Sequence, residues 1–334
     1  LVTIKDVARL AGVSMTTVSR AFNEKAIIKA ETRKNILAIA DKIGYVPNFN
    51  ARGLVTKKKF IIGVFFSSLH DGTSTSFFSA AIGSLYDALP DNYLLSINDI
   101  KRVNSFEQLV QNRVDGVLVV SQSDDDDEFI YQVKSSGIPL VVINRYISDR
   151  EICNIASDDF AGLKDGVDYI ASRGHKRIGM IEGIAGFTSS VQRRQGFDQS
   201  VISNNLTPVE AAIKIGDYSS KTGQEKMAEI LALPKEQQPT CVVCGNDDTA
   251  IGALRACYLN GVKVPDDISL IGFDDIFYSS VSIPSLTTIR KPIGQMAGLG
   301  IKDLIAIING EKVDIANRVK IQPQLVVRES VAKL

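Results

Sequence analysis

Hydrophobic spacing changes character once along the chain, near Phe60. Upstream, apolar residues recur at helical intervals in short blocks. Val7, Leu10 and Ala11 share one face of a first predicted helix, which Thr3 can cap, with Asp6 near its positive end. Gly12 supplies the positive φ of a tight turn. Ser14 caps a second helix, Met15 to Phe22, with Val18 and Phe22 inward at i,i+4 spacing. A third helix, Glu31 to Ile43, carries Ile36, Ala40 and Ile43 on one stripe and stops at Gly44. Two short helices joined by a glycine turn form the helix-turn-helix geometry, whose second helix fits a DNA major groove. That second helix exposes Met15, Thr16, Thr17, Ser19 and Arg20, a set able to read base edges and hold phosphates.

Beyond Phe60 the pattern becomes apolar runs alternating with amphipathic stretches. FIIGVFF, YLLSI, DGVLVV and IPLVVIN read as buried strands, with helices near 75–89, 105–112 and 126–136 between them. The alternation restarts with KRIGMI, AIKI, TCVVCG and ISLIGF. Two sets of βα units predict an α/β body of two lobes with parallel sheets, binding its ligand at the carboxyl ends of the strands. TTI, a helix near 292–308 and VKIQPQLVV are expected to cross back between the lobes.

Charge sharpens this division. Residues 1–59 hold 12 Lys and Arg against 4 Asp and Glu, a net of +8 hidden by the chain's overall balance of +0. A basic head on an acidic body suits a head that meets a polyanion while the body does not. No apolar run reaches the roughly 18 residues of a membrane span, and LVTIKDVARL lacks the plan of a secretory signal, so a cytosolic location is expected. Cys153, Cys241, Cys244 and Cys257 are too irregularly spaced for a disulfide framework. Cys241 and Cys244 lie three apart in a strand, on opposite faces, and cannot close on one metal.

TIKDVARLAGVSMTTVSRAFN followed by TRKNILAIADKIGYVPNFNARGL closely resembles the head of the LacI/GalR family of bacterial repressors, nearly without a break from Thr3 to Leu54. The resemblance implies a DNA-binding head over 1–46, a hinge over 47–59 and an effector-binding, dimerising body over 60–334. It places Met15, Thr16 and Arg20 at base-reading positions. Thr3, Ser14, Thr17, Asn23, Tyr45 and Asn48 fall where the family holds phosphates. Arg52 belongs to the hinge, and Leu54 matches the residue that wedges into the minor groove. Gly53 costs the hinge helix about 1 kcal/mol relative to Ala, and Val55 is β-branched there, so a weak hinge, disordered without DNA, is expected. Lys29 stands where relatives have a Ser or Thr cap, so the third helix is expected to start less firmly.

Further along, SRGHKRIG, RRQGF, CGNDDTAIGALRA, VPDDISLIGFDD and SLTTIRKPI are also similar to family segments and imply a periplasmic-binding-protein-like body. Its lobes then cover about 60–157 with 290–320, and 158–289 with 321–334. Arg193 matches the family's ligand arginine, which can fork two hydrogen bonds to vicinal hydroxyls or a carboxylate. Asn246 and Asp274 follow strands and suit sugar hydroxyls, although Asn246 could equally cap a helix. Tyr218 and Phe78 stand where relatives offer rings, although Phe78 could instead belong to the core, and Asn144 replaces a common Asp.

The implied protein is a homodimeric repressor that binds operator DNA and whose affinity a small molecule, expected to be a sugar, changes. The missing leucine-heptad tail favours a dimer over a tetramer. A corepressor-type regulator answering to a purine or a phosphorylated carrier protein would share the head. A transport receptor has no use for the head, and a sugar-metabolising enzyme would need a catalytic pair that is not found. No phosphate loop, nucleophile elbow, metal or cofactor set is apparent. Asp124 to Asp127 is expected to complement the positive end of the helix that follows, and His175 to be structural.

Overall fold

A computed structural model describes residues 2–22, 28–45, 58–69, 73–103, 106, 113–314 and 319–334. It separates into two compact units, 1–60 and 61–334.

The first unit is a three-helix bundle: α1 (Ile4–Ala11), α2 (Met15–Ala21) and α3 (Ala30–Ile43). The Asp6 carboxylate accepts from both the Thr3 N–H (3.0 Å) and its hydroxyl (2.8 Å), anchoring the start of α1. Gly12 follows at φ 66°, a conformation a β-carbon disfavours. Ser14 caps α2 by accepting from the Thr17 N–H at 3.1 Å. Lys29 precedes α3 without a side-chain cap, the weak start its residue type implies. Val7, Ala8, Val18, Ala21, Ile36 and Ala40 form the core. Leu10, expected inside, is 54% exposed. The buried face of α1 runs through Val7, Ala8 and Ala11 instead, rotated from the stripe the spacing suggested.

The second unit repeats one topology. In chain order its elements begin with β1 (Ile61–Phe66), α4 (Thr75–Ala88), β2 (Leu94–Asp99), β3 (Gly116–Val120), α5 (Asp127–Ser135), β4 (Leu140–Asn144) and β5 (Cys153–Ser157). Then come α6 (Asp159–Ser172), β6 (Arg177–Ile181), α7 (Thr188–Ser203), β7 (Thr207–Lys214), α8 (Ser220–Leu231), β8 (Cys241–Cys244) and α9 (Asp247–Leu259). The last are β9 (Ser269–Asp274), α10 (Phe277–Val281), β10 (Thr287–Arg290), α11 (Ile293–Ile308), β11 (Val319–Ile321) and β12 (Gln324–Val326). Sheet orders are β2-β1-β3-β4-β5-β11 and β7-β6-β8-β9-β10-β12, parallel except for the β10–β12 pair. The chain therefore crosses between lobes three times: at Asp158, at Lys291–Pro292, and at Gln322–Pro323.

Each sheet buries both faces, which is why its strands read as continuous apolar runs. Phe129, Ile130 and Val133 of α5 cover one face of the first sheet, and α4 with α11 lies over the other. In the second, α6 and α7 bury Leu163, Val167 and Phe197 against Cys241, Val243 and Phe273. Met227, Ile230 and Ala253 of α8 and α9 meet Val242, Cys244 and Leu270 on the opposite face. Cys241 and Cys244 thus point to opposite sides of β8. Strand β5 escapes the apolar pattern because Asn154 interrupts it. That side chain is buried, accepting from the Ile147 N–H and donating to the Val142 and Arg145 carbonyls. The stretch 105–112, apart from Phe106, lies outside the described residues. Among described residues no helix is long and apolar enough to cross a membrane.

Candidate functional site

On the first unit, Met15 is 47% exposed, and Thr16, Ser19 and Arg20 are exposed beside it. Thr17 is half-buried, its hydroxyl 2.9 Å from that of Ser14, so these two brace the start of α2 together. Thr3 is exposed at the start of α1. Tyr45 packs edge-on against Phe22, with ring centroids 5.7 Å apart. The structure thus brings Ser14 to Thr17 and Arg20 onto one short helix with an apolar underside. Asn23, Asn48, Arg52 and Leu54, with hinge residues 47–57, lie outside the described residues.

In the second unit the carboxyl ends of the strands converge on a cleft between the lobes. Asn144, Arg193, Tyr218, Asn246 and Asp274 all line its innermost cavity, together with Ser74, Phe77, Gln122, Ser189 and Lys291. Phe78 does not. Its ring rests on Phe66, centroids 5.1 Å apart, and the preceding Phe77 faces the cavity instead. The innermost space measures 30 Å³, room for about two waters. It adjoins a chamber of 680 Å³ that shares Ser74 and Tyr218, and a cavity of 200 Å³ that shares Phe77, Asp274 and Lys291. The innermost space by itself is too small for a ring-sized ligand.

Charge in the cleft is paired and buried. Arg193 donates from Nε (3.1 Å) and Nη2 (2.8 Å) to Asp159 Oδ2, and from Nη2 to Asp274 Oδ1 at 3.3 Å. Its guanidinium lies 3.7 Å over the Phe273 ring. Lys291 Nζ reaches the same Asp159 oxygen at 3.1 Å. Burial alone would raise the Asp159 carboxyl, but Lys291 and Arg193 hold it below the ordinary range. Asp274 differs: burial dominates and pushes it up to about 6. Behind it Asp247, also raised by burial to about 7, accepts from the Ser279 hydroxyl (2.6 Å) and the Ile276 N–H (3.0 Å).

Other groups are aimed by their elements. Asn246 caps α9, accepting from the Thr249 N–H at 2.9 Å, and donates to the Tyr218 carbonyl at 3.1 Å. It is therefore a helix cap that also lines the cavity. The Tyr218 hydroxyl lies 2.7 Å from Ser190 Oγ, and its ring occupies the space a side chain at Gly183 would fill. Asn144 donates Nδ2 to the Ser121 carbonyl at 2.8 Å, while its Oδ1 is buried with no hydrogen-bond partner. Asn144, Tyr218 and Asp274 all hold positive φ, at 77°, 68° and 114°. Residues held in such sparsely populated conformations cluster at ligand sites.

Spacing gave no sign of Lys291 or Gln122, since one sits on a crossing and the other on a loop. The acidic run is satisfied internally, beyond a helix-end role. Arg145 holds Asp124 and Asp127, and Asp126 accepts from the Ser67 and Ser121 hydroxyls at 2.6 Å each. His175 is buried between the Thr240 hydroxyl and the Ala332 carbonyl, tying down the C-terminal tail.

Comparison with known proteins agrees with both regions. Residues 3–48 match the model of bacterial regulatory proteins of the lacI family, and 167–331 that of a periplasmic binding protein-like domain. The chain is 42% identical over 335 residues to the probable transcriptional repressor ExuR of Bacillus subtilis, covering 100% of this chain and 99% of that one. It is 32% identical to the repressor PurR of Pasteurella multocida, covering 99% of each. A crystal structure of the lac repressor dimer bound to operator and the anti-inducer ONPF superposes with a TM-score of 0.79 at 28% identity, covering 99% of both chains.

Proposed function

The chain belongs to the lacI family of bacterial regulatory proteins and is a DNA-binding transcriptional regulator, not an enzyme; from that premise we propose that a small sugar in the cleft is its effector. The carrying observation is the unpartnered Asn144 Oδ1 in a cavity that also presents Arg193 and Asp274. An unpartnered acceptor, a carboxylate and a guanidinium that can exchange its contacts with Asp159 and Asp274 for ligand match a ring of hydroxyls, which donate and accept at set angles. Phe77 and Tyr218 offer ring faces for the apolar side of a sugar.

At the head, Met15, Thr16 and Arg20 read base edges, and Thr3, Ser14, Thr17 and Tyr45 hold phosphates. By the sequence resemblance to the family, Asn23 and Asn48 also hold phosphates, Arg52 contacts DNA from the hinge, and Leu54 wedges into the minor groove. The head over 1–46, hinge over 47–59 and body over 60–334 divide this work, in the cytosol where the DNA is. The protein works as a homodimer. In support, α10 and the turn after it leave Phe277, Tyr278, Val281 and Ile283 exposed by 74%, 60%, 55% and 96%, an apolar stretch suited to a second copy.

The test is binding to the chain's own promoter DNA titrated against hexoses, pentoses, acidic sugars, disaccharides and purine bases, with melting temperature read on the same panel. A sugar that shifts both supports the reading. A purine base that does so, with every sugar silent, overturns it in favour of a purine-sensing regulator.

A further inference from the structure

Beneath the effector cavity, the crossings between lobes are tied by adjacent acidic residues. Asp158 and Asp159 occupy the first crossing. Asp158 donates its N–H to the Ile321 carbonyl at 2.9 Å, and its carboxylate meets Lys320 at 2.8 Å, both beside the third crossing. Asp159 meets Lys291, on the second crossing, at 3.1 Å. The outer tie is solvated, with Lys320 45% exposed, whereas Asp159 and Lys291 are 2% and 3% exposed at the side chain. Exposed pairs contribute little to stability, and breaking a buried pair leaves an uncompensated charge.

Lys291 is joined to the cleft on every side. Its N–H donates to the Asp274 carbonyl at 3.3 Å, its carbonyl accepts from the Ile293 N–H at 2.9 Å, and its Nζ lies 5.8 Å over the Phe77 ring of the first lobe. Three nitrogens, Lys291 Nζ and Arg193 Nε and Nη2, converge on one oxygen, Asp159 Oδ2. A ligand that draws the guanidinium forward removes two of those donors and leaves the carboxylate to Lys291.

We propose that the Lys291–Asp159 pair is a positioning brace that couples effector occupancy at Arg193 to the angle between the lobes. This rests on the reading of the cleft as the effector site. Competition for one carboxylate oxygen is the coupling: the more Arg193 engages ligand, the more firmly Asp159 locks the first crossing to the second. Lys291 therefore serves the response of the regulator and not only the integrity of its fold.

The experiment is a double-mutant cycle on the full chain with K291M, D159N and both together, plus K291R. K291M is the mild variant, because Arg193 still neutralises Asp159. It carries the test alone if D159N does not fold. Amide exchange at Asp158, Lys291 and Ile293 in the ligand-free protein is expected to rise about tenfold in each single variant, with little further rise in the double. Strand β8 amides stay unchanged, and K291R restores protection. With a panel sugar that the wild type binds, the sugar-induced change in promoter affinity shrinks in K291M even at saturation. Unchanged exchange at the crossings, additive effects in the double variant, or an equal rise throughout β8 would overturn the brace. A panel in which no sugar binds counts against the effector reading, and the exchange result decides the brace on its own.

Discussion

Asp274, with Asp247 behind it, makes stability depend on pH. Its folded value near 6 lies above the ordinary 3.8, so the folded protein takes up a proton that the unfolded chain releases. Ionised Asp274 therefore costs stability at neutral pH, and that cost is relieved as pH falls through about 6. D274N is expected to raise the melting temperature at pH 7.5 by on the order of 2–4 °C and to change it little at pH 5. Arg193 should behave oppositely. R193M removes the partner that Asp159 and Asp274 share, leaving Asp274 buried and unpaired while Lys291 still meets Asp159, and is expected to cost about 3–5 kcal/mol in urea unfolding, while abolishing any response to a panel sugar. Arg193, inside α7, was legible as a cleft residue through a family match, and Asp274 because it ends a strand. Phe77 was not. Adjacent phenylalanines on a helix differ by about 100° in direction, and only the packing of Phe78 on Phe66 shows which one faces the cavity. Lys291 was hidden for another reason, since its role comes from a crossing whose position depends on how both sheets assemble.

Elements in the head stand on their caps. S14A removes the acceptor for the Thr17 N–H and should cost about 1 kcal/mol, read as faster amide exchange in α2 of the full chain. K29S supplies the missing cap of α3 and should slow exchange there. Spacing recovered the three head helices and most strands of the body, since each has an apolar stripe or run. It missed β5, whose buried Asn154 breaks the run, and it shortened β7, which spans Thr207–Lys214 with mixed burial. The turn of α1 that exposes Leu10 was equally out of reach. An eight-residue helix carries too few apolar positions to settle which face its neighbours cover.

At the scale of the molecule, head and hinge together (residues 1–59) carry a net charge of +8 and the body (residues 60–334) a net charge of −8. Binding driven by that head weakens with salt, log affinity falling by about 0.9 per neutralised phosphate for each decade of salt. The two-lobed plan was visible in the repeated βα alternation. Spacing alone offered only late segments returning to each sheet, whereas the lobe bounds implied by the family resemblance, 60–157 with 290–320 and 158–289 with 321–334, already require three crossings. Sequence-specific, ligand-dependent DNA binding is read by fluorescence anisotropy of the chain's own promoter DNA, against a scrambled duplex, at about 0.15 M salt, with and without each panel compound. A preference of at least about a thousandfold for the promoter is expected, with a change in that affinity on adding one sugar of the panel. Equal, weak binding to both duplexes, indifferent to every compound, would contradict both.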